Sequence, residues 1–149
     1  MNWDYIAGFI DGEGSIIRRK RVFNVIISQT NFEVLEQIRK FIGRGYVYPI
    51  KKRKAHWKNA WIYSAGGSRE VYYVLSFVAH RLVVKKDLAF RALSELQERL
   101  AEVKREKRLR TNRLKKGKAF RAQGLTYREI GKKLNADFGY IRRLILGEI

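Results

Sequence analysis

The sequence predicts an α+β fold, one antiparallel sheet with helices on one face, followed by a small all-α helix-turn-helix domain. Three observations carry this expectation. Over the first 100 residues, segments with apolar residues three and four apart alternate with runs rich in β-branched residues, in the order αββαββαα. Hydrophobic residues make up 46% of the 149 and aromatics 13%, enough to bury a core. Composition then turns strongly basic near residue 101, and capped helical segments follow. The expected division is an α+β domain over 1–100, a basic linker or helical arm over 101–116 and a helix-turn-helix over 117–149.

Each element has a local reason. Asn2 can cap a helix from Trp3 to Gly12, which Gly12-Glu13-Gly14 ends. Ser15–Arg18 and Val22–Ser28 read as two strands of a hairpin around Arg19-Lys20-Arg21. Thr30 or Asn31 opens a second helix. Glu33 stands three residues after Thr30 as in a capping box; Val34, Leu35, Ile38, Phe41 and Ile42 give the apolar face, and Gly43 closes it. Tyr46–Ile50 and Asn59–Ser64 form a second strand pair around the basic loop Lys51-Lys52-Arg53-Lys54. Gly66-Gly67-Ser68 leads into a helix over Arg69–Phe77. Another starts near Val84 or Lys85, with Ala89, Leu93, Leu96, Leu100 and Val103 along one stripe. In the tail, a short helix over Lys118–Gln123 stops at Gly124, Thr126 caps Tyr127–Leu134, and Asp137 caps a last helix to Leu146. Ala119, Phe120, Leu125, Ile130, Leu134, Ile141 and Leu144 are the candidate core of these three helices.

Charge and composition then narrow the function. Lys and Arg number 33 against 14 Asp and Glu, a net +19 that points to a polyanionic partner, nucleic acid before membrane. From Lys104 onward lie 15 of the basic residues and 4 of the acidic ones, a surplus of 11, which leaves 8 for the first 103. The absence of Cys removes disulfides, thiolate nucleophiles and Cys-type zinc sites, so zinc fingers and cysteine proteases are excluded. With no apolar run near 18 residues and no basic-then-apolar start, a soluble intracellular protein is expected.

The most informative segment is Ile6-Ala7-Gly8-Phe9-Ile10-Asp11-Gly12-Glu13-Gly14. Gly8 and Gly12 share a helical face beside Ala7, so this helix can approach another closely. Asp11 and Glu13 sit where the helix dipole disfavours carboxylates. Should two copies of the helix meet about a two-fold axis, two Glu13 carboxylates and two negative helix ends converge, an arrangement that calls for a divalent cation.

The identities of these residues closely resemble the LAGLIDADG motif of homing endonucleases. The likeness continues through Val25–Gln29, Glu33–Ile38 and Leu82–Lys86, and covers roughly residues 3–100. It implies an αββαββα fold with paired motif helices and a sheet that forms a saddle on double-stranded DNA. It further implies Mg²⁺, or Mn²⁺, held by the final acid, here Glu13 where the family name has Asp. Asp11 corresponds to the acid that supports the helix interface together with Ala7, Gly8 and Gly12. Gln29 corresponds to a polar residue near the active-site water, and Lys85 or Lys86 to a basic residue that helps polarise the phosphate or position solvent. Since one motif is present, cutting both strands implies a homodimer and a near-palindromic site. The expected function is therefore site-specific phosphodiester hydrolysis, with a non-catalytic transcription regulator or an RNA-splicing maturase as alternatives on the same fold.

Two further surfaces could read DNA. Arg18, Arg19 and Arg21 with Asn24 lie on the first hairpin, and Lys51, Lys52, Arg53, Lys54 and Lys58 around the second, where Arg and Lys can reach guanine and Asn24 or Asn59 adenine. The aromatics interleaved here, Trp57, Trp61, Tyr46, Tyr48 and Tyr63, are expected in the sheet core or at its edge. Gly124–Leu134 resembles the first half of bacterial and phage helix-turn-helix domains, and Phe138–Leu146 would be its recognition helix, exposing Tyr140, Arg142 and Arg143.

Overall fold

Local capping sets the first boundary. In the computed structural model, which describes residues 1–20, 22–52, 54 and 56–149, Asn2 Oδ1 accepts the Tyr5 N–H at 2.8 Å and opens α1 (Trp3–Glu13). Ile6, Ala7 and Ile10 form its buried stripe. At its end a Cβ on Gly14 would stand 2.7 Å from the Ile10 Cα, so only glycine lets the chain fold straight back from helix to strand.

The strands β1 (Gly14–Arg19) and β2 (Val22–Gln29) form an antiparallel hairpin closed by the Arg19–Val22 pair, with Lys20 at φ +57° in the turn. The next helix, α2 (Phe32–Ile42), is capped by Asn31, whose Oδ1 accepts from the Val34 N–H at 3.2 Å. The Thr30–Glu33 capping box does not form, because Thr30 is taken up by the Gln29 side chain. Next come β3 (Tyr46–Pro49), β4 (Trp61–Gly66) and α3 (Ser68–Val78). The sheet order is β1-β2-β4-β3, antiparallel throughout.

Every helix that contacts this sheet packs on one face. Val25, Ile27, Tyr63 and Ala65 meet Ile10 of α1, Leu35 and Ile38 of α2 and Leu75 of α3 in a single core. Tyr63 is fully buried yet satisfied, its hydroxyl donating to the Arg44 carbonyl at 3.0 Å, and burial holds its pKa well above that of a free phenol. Phe41 is 40% exposed, although it was expected on the core face; it meets Trp3 edge-on at 5.2 Å, and Trp3 stacks on Phe77 at 4.5 Å. These rings tie α1, α2 and α3 together.

The chain divides into two compact units, Met1–Leu100 and Ala101–Ile149. A single 37-residue helix, α4 (Lys86–Ala122), contributes to both, and its residues 101–112 are exposed all round. The separate helix expected over Lys118–Gln123 is the end of this one. No proline interrupts α4, and Gly117 remains helical within it. Gly117 is buried near the Ile145 side chain while Ala119 is exposed, so the inward stripe of α4 runs through Gly117 rather than the expected Ala119.

The second unit continues with α5 (Tyr127–Leu134) and α6 (Phe138–Leu146), joined by the tight turn Asn135-Ala136-Asp137. Thr126 and Glu129 form a reciprocal capping box, and Asp137 Oδ1 accepts from the Tyr140 N–H at 2.8 Å. Ile130, Ile141 and Leu144 are its buried apolar side chains. Among the described residues no helix is long and apolar enough to cross a membrane.

Candidate functional site

The end of α1 collects most of the chemistry that the sequence singles out. Asp11 accepts the backbone N–H groups of Val83 at 2.6 Å, Val84 at 3.3 Å and Lys85 at 3.0 Å. These residues lead into α4, so the carboxylate faces the positive end of that helix. In return, the Lys85 ammonium donates to the carbonyls of Ile10 at 3.0 Å and Asp11 at 2.5 Å. It thereby supplies the cation that the last turn of α1 lacks in its own sequence. Each helix end is neutralised by a side chain from the other element. Partial burial raises the Asp11 pKa, but the three N–H bonds and the Lys85 charge outweigh it and leave the carboxyl below its ordinary value.

Asp11 is bonded to residues 83–85, and Ala7 is 1% exposed in the core with Ile6 and Ile10. The two lysines differ in placement. Lys85 precedes the first turn of α4 and lies half-buried on α1, while Lys86, one residue on, is exposed.

Glu13 has no such structural employment. It is exposed at the last position of α1, and among the described residues it has no hydrogen-bond or ion-pair partner. Gly8 and Gly12 are also exposed, and a Cβ on either would meet nothing within 4 Å. Tyr5 and Phe9, with ring centroids 5.3 Å apart, flank Gly8. Sequence reasoning missed this pair, although their spacing from Gly8 and Gly12 assigns them to the same stripe. Gln29 ends β2 two residues beyond the Ile27–Gly14 pair, at the edge where α1 enters the sheet. Its Oε1 accepts from Thr30, which leaves its NH₂ as the group available to solvent or substrate.

Among the described residues no three His, Cys, Asp or Glu side chains cluster as a metal site. Mg²⁺ does not demand one, since it is often held by one or two carboxylates together with substrate phosphates. A lone exposed Glu13 fits that mode if a second carboxylate comes from another copy.

The uncovered sheet face forms the second surface. The strand register puts Ser28–Ile62–Tyr48, Ser15–Ile26–Ser64–Tyr46 and Ile17–Asn24–Gly66 in successive rows on that face, with Arg19 beyond them. Tyr46 is 73% exposed and Tyr48 is exposed as well, so these two rings face outward rather than into the core; Tyr63 is buried and Trp61 packs on Phe32. Arg18 has the opposite parity from Arg19. It points to the helix side, bonded to Glu95 at 2.9 Å and set over the Phe23 ring, which removes it from the outward face. Lys51, Lys52, Lys54 and Lys58 are exposed in the β3–β4 connection. Arg21 and Arg53 lie outside the described residues. In α6, Arg142 and Arg143 are exposed, whereas Tyr140 is half-buried in a groove lined by Val103, Arg110 and Arg113 of α4. It stands one turn from buried Leu144, on the edge of the buried stripe.

A family model described as a LAGLIDADG-like domain matches residues 3–97. The chain belongs to the LAGLIDADG family. Solved structures agree on the fold. The homing endonuclease I-CvuI, in complex with its target in the presence of Ca, is 21% identical, with a TM-score of 0.51 over 91% of this chain and 95% of that one. The homing endonuclease I-TnaI is 21% identical, with a TM-score of 0.50 over 99% and 97%. The LAGLIDADG meganuclease I-AabMI bound to uncleaved DNA is 21% identical, with a TM-score of 0.52 over 66% of this chain; the match spans 38% of that protein. Comparison with curated proteins gave no match. The α1 of this LAGLIDADG-family protein, with its outward glycine face and terminal Glu13, lies within the matched residues.

Proposed function

We propose that the protein is a site-specific double-strand DNA endonuclease that hydrolyses phosphodiester bonds with a divalent metal and acts as a homodimer on a long, near-palindromic site. The observation that carries this reading is Glu13: an exposed carboxylate at a negative helix end, with no structural partner among the described residues, on a helix whose glycine face is open. Asp11 explains its own presence by binding residues 83–85, so Glu13 is the acid left for chemistry.

The open face of α1 allows two motif helices to approach closely through Gly8 and Gly12, which brings the two Glu13 carboxylates together. Their mutual repulsion, and that of the helix ends behind them, would favour a divalent cation, which the two Glu13 carboxylates would hold together with substrate phosphates. Such an ion, when bound, lowers the pKa of water, stabilises charge on the phosphorane and assists the leaving oxygen. The protein's own contribution is positional. Lys85, pinned on the Ile10 and Asp11 carbonyls, sets a positive charge on the last turn of α1, where it could favour the developing phosphorane charge. Gln29, at the adjoining strand end, can donate through its NH₂ to the attacking water or to a phosphate oxygen. The outward sheet face, with Arg19, Asn24 and the loop lysines Lys51, Lys52, Lys54 and Lys58, would straddle the major groove. In the second unit, α6 would act as the recognition helix of a helix-turn-helix, with Arg142 and Arg143 reaching phosphates or bases outside the cleaved centre.

The test is Glu13→Gln, isosteric and uncharged. Cleavage of a randomised duplex library with Mg²⁺ should fall to background while DNA binding persists within a few-fold. Undiminished cleavage would remove Glu13 from the site. The presence of an otherwise unemployed acid here also separates this reading from that of a non-catalytic regulator, which has no use for one.

A further inference from the structure

The side chains on the uncovered sheet face have a chemistry that the net charge conceals. The outward strand positions carry three isoleucines, Ile17, Ile26 and Ile62, interspersed with serines, two tyrosines and Asn24. Arg19 is the one cation among these strand positions, and there is no acid. The positive charge sits at the hairpin ends, in Lys20 and in the Lys51–Lys58 connection, on long exposed side chains suited to phosphates. A face bordered by cations and free of anions suits a polyanion rather than a second apolar protein surface.

In the major groove, adenine is read by a side-chain amide, guanine by Arg or Lys, and thymine by apolar contact with its methyl group. Isoleucine on a strand is stiff at χ1 and loses little rotamer freedom on contact. Asn24 lies against Gly66. Its Oδ1 lies 2.8 Å from where a Cβ on Gly66 would stand, so the carboxamide rests in space that any larger residue at 66 would fill. It occupies a row between Ile17 and Gly66, with Ile26 in the next row, so an amide and two methyl-reading groups are neighbours.

We infer that this sheet face reads an A·T-rich half-site, in which Asn24, lying over the bare backbone of Gly66, recognises an adenine and Ile17, Ile26 and Ile62 recognise thymine methyl groups. Guanine contacts are confined to the end of the face that carries Arg19 and to the loops. The inference rests on the proposed placement of the sheet on duplex DNA and extends it to the bases preferred.

The experiment is selection of bound duplexes from a randomised library by the full-length chain carrying Glu13→Gln, then by the same chain with Gly66→Ala, Asn24→Ala or Ile26→Ala added. Unfolding midpoints measured alongside identify any variant that fails to fold, and the three variants act through different atoms. The expected half-site is dominated by A·T pairs. Gly66→Ala and Asn24→Ala should relax preference at the same adenine by roughly tenfold, and Ile26→Ala should relax an adjacent thymine by a similar factor. A G·C-dominated half-site, or one unchanged by all three substitutions, overturns the inference. Cleavage of the same library by the unsubstituted chain separates the two readings: a defined G·C-rich cut site leaves the endonuclease proposal standing, while neither cutting nor enrichment overturns both.

Discussion

Asp11 and Glu13 stand two residues apart at the same helix end and do different work, because one of them has a partner more than 70 residues away in the chain. The N–H groups of Val83, Val84 and Lys85 point at Asp11, and the Lys85 ammonium returns to the α1 carbonyls. Asp11→Asn keeps an acceptor oxygen and removes the charge. It should cost about 1–2 kcal/mol at pH 7, the scale of losing charge assistance in partly exposed hydrogen bonds. The folded carboxyl ionises more readily than the unfolded one. Its contribution is therefore complete above the ordinary Asp pKa of about 3.9 and is lost as pH falls through the lower folded value. Urea unfolding of both proteins should show the gap narrowing below about pH 4; a gap that ignores acid would assign the loss to something other than charge. The sequence shows both acids but not which is taken, nor which of Lys85 and Lys86 reaches α1. Adjacent residues of the same type differ only in direction, and direction depends on how the chain enters α4.

At the scale of elements, the boundaries set by local chemistry are the ones that sequence reading finds. Asn2, Thr126 and Asp137 cap where expected because a cap needs only the three or four residues that follow it. The outward face of β2 is less legible. Its sequence, Val22-Phe23-Asn24-Val25-Ile26-Ile27, is apolar at both parities, so period-two reading cannot tell Ile26 from Ile27, and only packing of the helices on Val25 and Ile27 decides. The same ambiguity hides that the parity of Arg18 carries it to Glu95. In α4, charge density over 101–116 distinguishes no linker from a solvated helix, since both exclude core residues. For α1, the glycine face gives a separable prediction. Gly8→Ala adds a methyl group to open space and should raise the stability of the isolated chain by about 0.5–1 kcal/mol, the helix-propensity gain. Gly8→Leu should leave the chain folded but weaken self-association at least tenfold by sedimentation, if two motif helices meet there as proposed. Unchanged association in the Leu variant would place the dimer contact elsewhere.

For the whole molecule, the charge of +19 is unevenly placed, with a surplus of 11 in the residues from Lys104 on. A chain ending at Val103 loses 15 basic and 4 acidic residues, and with them α5 and α6. It should bind DNA more weakly, with a shorter footprint and a shallower fall of log K with log salt, because fewer counterions are released. An unchanged footprint would argue that the second unit does not lie on DNA. The sequence by itself determined the fold class, the family, the caps of α1, α5 and α6 and the net charge of +19, since each depends on residue identity at short range or on a sum over the chain. Only the tertiary structure decided that Asp11 serves α4 while Glu13 has no partner among the described residues, that Lys85 rather than Lys86 lies on α1, and that the outward strand positions carry three isoleucines and a single arginine. Each of these depends on which side of an element faces a partner distant in sequence, and that is set by the packing of the whole core.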